Sequence, residues 1–152
     1  MEKSLDFLGF PNYSISSTGI VTNITVDKIL IGTVDPDGYR RLMLYNTTGT
    51  KNFLVHRLVA LAFIEPVDGK DTVDHINRDR LDNRLENLRW ADRCDQAQNK
   101  DVQQNNKLQH KYICKYGNHF LVRIKRHYTM VFDKRFKTLE EAIEARDDFF
   151  ID

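Results

Sequence analysis

Asp74 and His75 stand side by side at the end of the short run Thr72-Val73-Asp74-His75, and this pair constrains the fold more than any other feature. Successive residues of a regular strand point to opposite faces. A carboxylate and an imidazole that serve one site therefore require the strand to end or bend at the pair. The polar stretch Asn77-Arg78-Asp79 permits that bend. A second short strand near Leu88-Arg89-Trp90 and a helix with Asp92 as its N-cap come next, before Asn99. The segment reads as strand, loop, strand, helix. It has no cysteine pair and no glycine-rich phosphate loop, so its chemistry must rest on oxygen and imidazole donors.

Those donors suit phosphodiester hydrolysis. The reaction needs an activated water and a charge to neutralise the leaving oxygen. Imidazole is the side chain whose ordinary titration lies closest to cell pH, which fits it to deprotonate water. A carboxylate such as Asp74 offers the hard oxygen that Mg²⁺ prefers.

The rest of the chain bounds the setting. At 152 residues it holds one domain or two very small ones, and 41% apolar with 30% charged residues is ordinary for a folded protein. Cys94 and Cys114 form neither a metal-ligand spacing nor a disulfide framework, so a reducing intracellular setting is expected. No apolar run approaches the ~20 residues of a membrane span, and Met1 to Asp6 shows no signal-peptide core. A cytosolic protein without a membrane partner is expected. Charge is uneven: from Lys107 to Lys137 nine basic residues face Asp133 alone, while Glu140 to Asp152 holds six acids and only Arg146. A basic strip closed by an acidic helix is a footprint for a polyanion, or else a solvated charged surface.

Turn signals divide the remainder. In residues 7–55, Ser17-Thr18-Gly19, Asp35-Pro36-Asp37-Gly38 and Asn46-Thr47-Thr48-Gly49 separate short β-like runs, which predicts a small antiparallel sheet. From His56 to Ile64 the period becomes helical, with Leu58, Leu61 and Ala62 inward and Val59 and Phe63 widening the face. His56 opens that helix as a capping or packing residue, with a DNA-phosphate contact as the alternative. Residues 103–110 are polar and read as a linker. After it, Lys111–Lys115, His119–Lys125 and Met130–Phe132 predict three strands, with Phe120, Val122 and Ile124 on one face. Thr138 and Glu141 form a capping box for a last helix.

Residues 56–99 resemble the phage and intron-type HNH endonucleases, through Val55-His56-Arg57-Leu58-Val59-Ala60, Asp74-His75 and Asn83-Arg84-Leu85-Glu86-Asn87-Leu88-Arg89-Trp90. The resemblance implies a strand-loop-strand-helix core called ββα-metal. It implies Asp74 as a metal ligand, His75 as general base, and Asn87 as the loop-bracing asparagine that orients the histidine. The family's last ligand is a helix His or Asn nine residues after that asparagine, where this chain has Gln96; Asn99, one turn on, is a substitute for it or a helix-end cap. Asn83 reads as a loop hydrogen-bonder. Residues 7–32 resemble the small NUMOD4-like module often joined to such nucleases, through Gly9-Phe10-Pro11-Asn12-Tyr13-Ser14-Ile15-Ser16 and Gly19-Ile20-Val21. Residues 111–150 resemble an AP2-type DNA-binding domain, through Phe120-Leu121-Val122-Arg123-Ile124 and Phe136-Lys137-Thr138-Leu139-Glu140-Glu141-Ala142, although the family usually has Trp where Phe120 stands.

The resemblance therefore implies an α+β chain: a β module over 1–55, a ββα-metal core over 56–102, a linker over 103–110 and a three-stranded sheet plus helix over 111–152. It implies a DNA endonuclease using one divalent metal, Mg²⁺ or else Mn²⁺, in a bacterial or phage-infected cell, as a monomer or alternatively a dimer. Double-stranded DNA is the expected partner, contacted by Arg40, Arg41, Arg123, Lys125, Arg126, Lys134 and Arg135. The competing expectation is a DNA-binding regulator or specificity factor on the same fold with a weakened site, kept open by Gln96.

Overall fold

The first sheet is a four-stranded antiparallel meander: β1 (Glu2–Leu5), β2 (Phe10–Ser16), β3 (Val21–Asn23) and β4 (Lys28–Leu30). It belongs to a computed structural model that describes every residue except 103, 105, 128 and 152, so parts of the expected linker and the last residue of the expected C-terminal domain lie outside the described residues. β1 has no apolar alternation of its own. Its pairing with β2 puts Lys3 opposite Ile15 and Ser4 opposite Ser14 and drops Leu5 into the core. The β2–β3 turn requires Gly19, whose φ is +84°.

A three-stranded sheet comes next, β5 (Thr33–Val34), β6 (Arg40–Asn46) and β7 (Gly49–Leu54). Asp35 builds the turn between β5 and β6, accepting from the backbone N–H groups of Asp37 and Tyr39 at 3.0 and 2.9 Å. Those bonds, the one from Tyr39 foremost, hold its carboxyl below the ordinary range. Leu42 and Leu44 point inward from β6, and α1 (Val55–Phe63) runs directly out of β7. The helix buries Val55, Leu58, Val59 and Ala62, whereas Leu61, expected inside, is 40% exposed.

β8 (Thr72–His75) and β9 (Leu88–Ala91) form a two-stranded antiparallel sheet, and α2 (Arg93–Gln98) runs on from it. Asp92 caps α2 in a capping box, its carboxylate accepting from Cys94 and Asp95 N–H while the Asp95 side chain accepts from Asp92 N–H. One apolar cluster joins all of this: Leu5, Phe10, Ile15 and Val21 pack in it with Leu42, Leu44, Leu58, Val59, Val73, Leu88 and Trp90. Residues 1–99 are accordingly one compact unit. The boundary expected between residues 55 and 56 separates two stretches of chain that share this core.

Residues 100–152 form the second unit. β10 (Ile113–Tyr116), β11 (His119–Arg126) and β12 (Thr129–Phe136) make an antiparallel sheet, and α3 (Leu139–Ile151) packs on it. Ile113, Val122, Ile124 and Ala142 are its buried core, with Phe120, Phe132, Phe136 and Phe149 around them. Glu141 N–H donates to Thr138 Oγ1 at 3.2 Å, and Thr138 N–H to the Glu141 carboxylate at 3.4 Å, so the capping box forms. The chain is thus mixed α and β, with several small antiparallel sheets and few helices. Among the described residues no helix is long and apolar enough to cross a membrane.

Candidate functional site

β8 ends at the pair. The chain turns immediately, Arg78 N–H donating to His75 O at 3.0 Å with Arg78 at φ +68°. Asp74 is opposite Arg89 on β9, whose Nη2 lies 3.0 Å from Asp74 Oδ2. His75 turns the other way and is only 4% exposed.

Asn99 joins the two. Its backbone caps the end of α2, with N–H donating to Asp95 O at 3.0 Å. Its side-chain Nδ2 meanwhile lies 3.1 and 3.0 Å from the two Asp74 carboxylate oxygens and 2.7 Å from His75 O. The expected helix residue, Gln96, is elsewhere: its Nε2 donates to Thr72 Oγ1 at 2.9 Å. Asn99 is therefore the α2-end residue that the fold brings to Asp74, in addition to the helix-end role expected for it.

Asn87 closes the loop between the strands. Its Oδ1 accepts from Asn77 N–H at 2.9 Å, and its Nδ2 donates to Asn77 Oδ1 at 2.9 Å and Asp82 O at 2.8 Å. Ile76 N–H donates to Asn87 O at 2.8 Å. Arg84 grips Asp82 through Nε and Nη2, both at 2.8 Å, and this pairing holds the Asp82 carboxyl far below the ordinary range. The buried Asn87 amide is thus spent on the loop, while the group that bonds the His75 ring is Asn83, whose Oδ1 is 2.9 Å from Nε2.

Two aromatic neighbours complete the surroundings. The His56 ring centre is 5.0 Å from that of His75, edge to face, and Tyr39 lies 4.9 Å from His56 and 5.9 Å from His75. His56 is 5% exposed, and its Nδ1 is buried without a partner. Burial, reinforced by His75 and Arg57, pushes its pKa down to about 4, so it stays neutral at cell pH. The packing role expected for His56 is the one the fold shows. Tyr39 carried no sequence signal for a place here; it comes in because the Asp35 turn sets it beneath Arg80, 5.0 Å away.

The basic residues sort by strand register. Arg40 Nη1 donates to Ile31 O at 2.8 Å, and Arg41 lies 3.4 Å from Asp35, so both are partly engaged by the connections that flank β5. In the second unit, alternation along β11 and its pairing with β12 put Arg123, Lys125 and Arg135 on the face away from Val122 and Ile124. Arg126 and Lys134 fall on the other face, with Arg126 5.6 Å from the Phe149 ring and Lys134 5.3 Å from that of Phe132. The basic groups expected to act together are thus divided between two faces.

Comparison with known proteins bears on this geometry. Residues 53–98 match the family model of HNH endonucleases. An uncharacterized HNH endonuclease (L247) of Acanthamoeba polyphaga mimivirus is 41% identical over 92 residues, 59% of this chain and 23% of that protein. The DNA endonuclease I-HmuI of Bacillus phage SP01 is 39% identical over 80 residues, 53% of this chain and 46% of that protein. The chain spans less than half the length of these curated relatives. A solved structure of the HNH homing endonuclease I-HmuI, described for DNA binding and cleavage, matches with a TM-score of 0.60 at 27% identity, covering 95% of this chain and 82% of that one. The segment that holds Asp74, His75, Asn83 and Asn87 is thus the part of the chain that matches the HNH endonuclease family model, in a chain similar to an HNH homing endonuclease.

Proposed function

We propose that the chain is a metal-dependent DNA endonuclease of the homing or phage type, hydrolysing phosphodiester bonds in double-stranded DNA. One observation carries the reading: the Asn99 amide contacts both the Asp74 carboxylate and the His75 backbone carbonyl, so a single side chain from the end of α2 fixes the strand end that carries the acid and the base.

The donors fit a hard cation. Among the described residues no cluster of three or more His, Cys, Asp or Glu side chains exists, which argues against a caged ion. Mg²⁺ keeps several waters and takes one or two carboxylates, a demand that Asp74 can meet. Asp74 would hold it, with Asn99 bracing that carboxylate through Nδ2 and Gln96 left to support β8. When bound, the cation supplies positive charge to a phosphate oxygen and to the leaving oxygen. His75 takes the proton of the attacking water. Asn87 keeps the loop closed around the histidine, and Arg89 neutralises Asp74.

Arg123, Lys125 and Arg135 present one sheet face for DNA, in the manner of an AP2-like module, and Arg40 and Arg41 add backbone contacts, while Arg126 and Lys134 lie on the other face and are left out of this contact. The Arg89–Asp74 pair also favours a second reading, a DNA-binding regulator in which the arginine permanently occupies the cation's place.

Incubation of duplex DNA with the protein in Mg²⁺, in Mn²⁺ and in EDTA separates the two. Cleavage in the cations alone is expected. Binding without cleavage in any of the three would establish the regulator and sink the endonuclease.

A further inference from the structure

We propose that the β2–β3 turn of the first sheet is a positioning element for His75, acting through Asn83, and that Asn83 is its positioning residue. This builds on the reading of His75 as general base. Asn83 is 5% exposed and its Oδ1 lies 2.9 Å from His75 Nε2. An amide oxygen only accepts, so this contact requires the proton on Nε2 and leaves Nδ1 as the ring's basic nitrogen. A base locked in one tautomer presents its lone pair in one direction, which is what abstraction of a proton from a placed water needs.

What holds Asn83 is distant in sequence. Leu85 N–H, two residues on, donates to Ser17 O at 2.8 Å. A Cβ on Gly19 would stand 2.9 Å from Asn83 Cβ and 3.1 Å from Asn83 O. The turn therefore touches the loop at the residue that touches the base, and leaves no room between them. The turn itself is fixed on its other side: Ser17 N–H donates to Met1 O at 2.8 Å, and Ser16 Oγ accepts from Ile20 N–H at 3.0 Å. Its bonds give it little freedom to yield, so a side chain at position 19 displaces Asn83.

Nitrogen-15 NMR of the imidazole rings in the full chain reads the tautomer directly, without reference to cleavage. The parent should show His75 as a single Nε2-protonated form. Asn83→Ala and Gly19→Ala should each turn it into a mixture and lower kcat by about 10–100-fold, the usual worth of a group that orients a functional histidine, with KM for DNA unchanged. Asn83→Asp keeps an acceptor and should keep the single tautomer. Gly69→Ala is the control: it shares the positive φ, +76°, yet its Cβ would meet nothing within 4 Å, so it should change neither readout.

If His75 stays wholly Nε2-protonated in both Asn83→Ala and Gly19→Ala, or is Nδ1-protonated in the parent, the proposal falls. Should Asn83→Ala fail to fold, Gly19→Ala and Asn83→Asp decide it. A parent with the expected tautomer and variants, but no cleavage of DNA in any cation, would overturn the endonuclease reading and leave the positioning of His75 standing.

Discussion

If His75 is the general base proposed for it, replacing it with Ala should lower cleavage by on the order of 10²–10⁴, the worth of general base catalysis. DNA affinity, measured by filter binding in Ca²⁺, should barely change; a variant that cuts at the parental rate would remove His75 from the reaction. The neighbouring carboxamides separate by the same assay. Asn99→Ala should weaken both Mn²⁺ binding and cleavage, because Asn99 meets Asp74, whereas Gln96→Ala should cost mainly stability, because Gln96 meets Thr72. The reverse order would return Gln96 to the cation. His56 yields a prediction about pH. Burial lowers its pKa from 6.5 to about 4. As pH falls below 6.5 the unfolded chain takes up a proton that the folded chain refuses until about 4, so stability present above 6.5 is lost across that window, by about 3 kcal/mol. Urea midpoints of the parent and His56→Gln, compared from pH 7.5 to 4.5, should converge as the pH falls.

Among the elements, α2 is the most exposed to perturbation, since Arg93–Gln98 is too short to persist by propensity. The Asp92 capping box, the 2.7 Å pair between Lys70 and Asp95 and the Gln96–Thr72 bond hold it in place. Asp92→Ala should cost about 1 kcal/mol by thermal melting, and should reduce cation affinity as well, because the end of α2 carries Asn99. A loss of stability with cation affinity intact would show that Asn99 is held independently of its helix. These dependencies also mark what a sequence can reveal. The turns at Gly19, Asp35–Gly38 and Asn46–Gly49 were legible because each is encoded within a few residues. The end of β8 at the Asp74-His75 pair came from strand alternation and the polar loop. β1 was not legible, because its register is dictated by β2 and by a core to which it contributes only Leu5. Nor could spacing decide between Gln96 and Asn99, since the rotation of α2 is set by its cap and by Thr72 on another element. The division of Arg126 and Lys134 from Arg123 was likewise hidden: Arg126 and Lys134 belong to different strands, and their shared face emerges only once pairing, with its irregularity at Ile124/Lys125, is known.

Taken whole, the chain separates compact units of different charge. The strip from Lys107 to Lys137 lies in the second, while residues 1–99 carry fourteen acids against twelve bases. Truncation after residue 102 should leave the first unit folded, with Asp74, His75, Asn83, Asn87 and Asn99 in place. It should weaken DNA binding and flatten its salt dependence, each lost phosphate contact reducing the log–log slope by roughly 0.9. Measuring binding against salt checks this, and a truncated protein with the parental slope would move recognition to the first unit. Arg123→Ala should relax site preference if that residue reads a base edge, or weaken all sites alike if it holds phosphate.

The apolar cluster that runs from Leu5 to Trp90 has a consequence for inheritance. A recombination joint placed between residues 55 and 56 would hand a recipient half of an interior, with Leu58, Val59 and Trp90 facing whatever side chains the new partner happened to offer. Joints near Asn99–Lys100 cut no such interior. Exchange of parts among relatives should therefore keep residues 1–99 together and trade the second unit; if the proposed division of labour holds, such a trade would alter target preference and leave the proposed cleavage site intact.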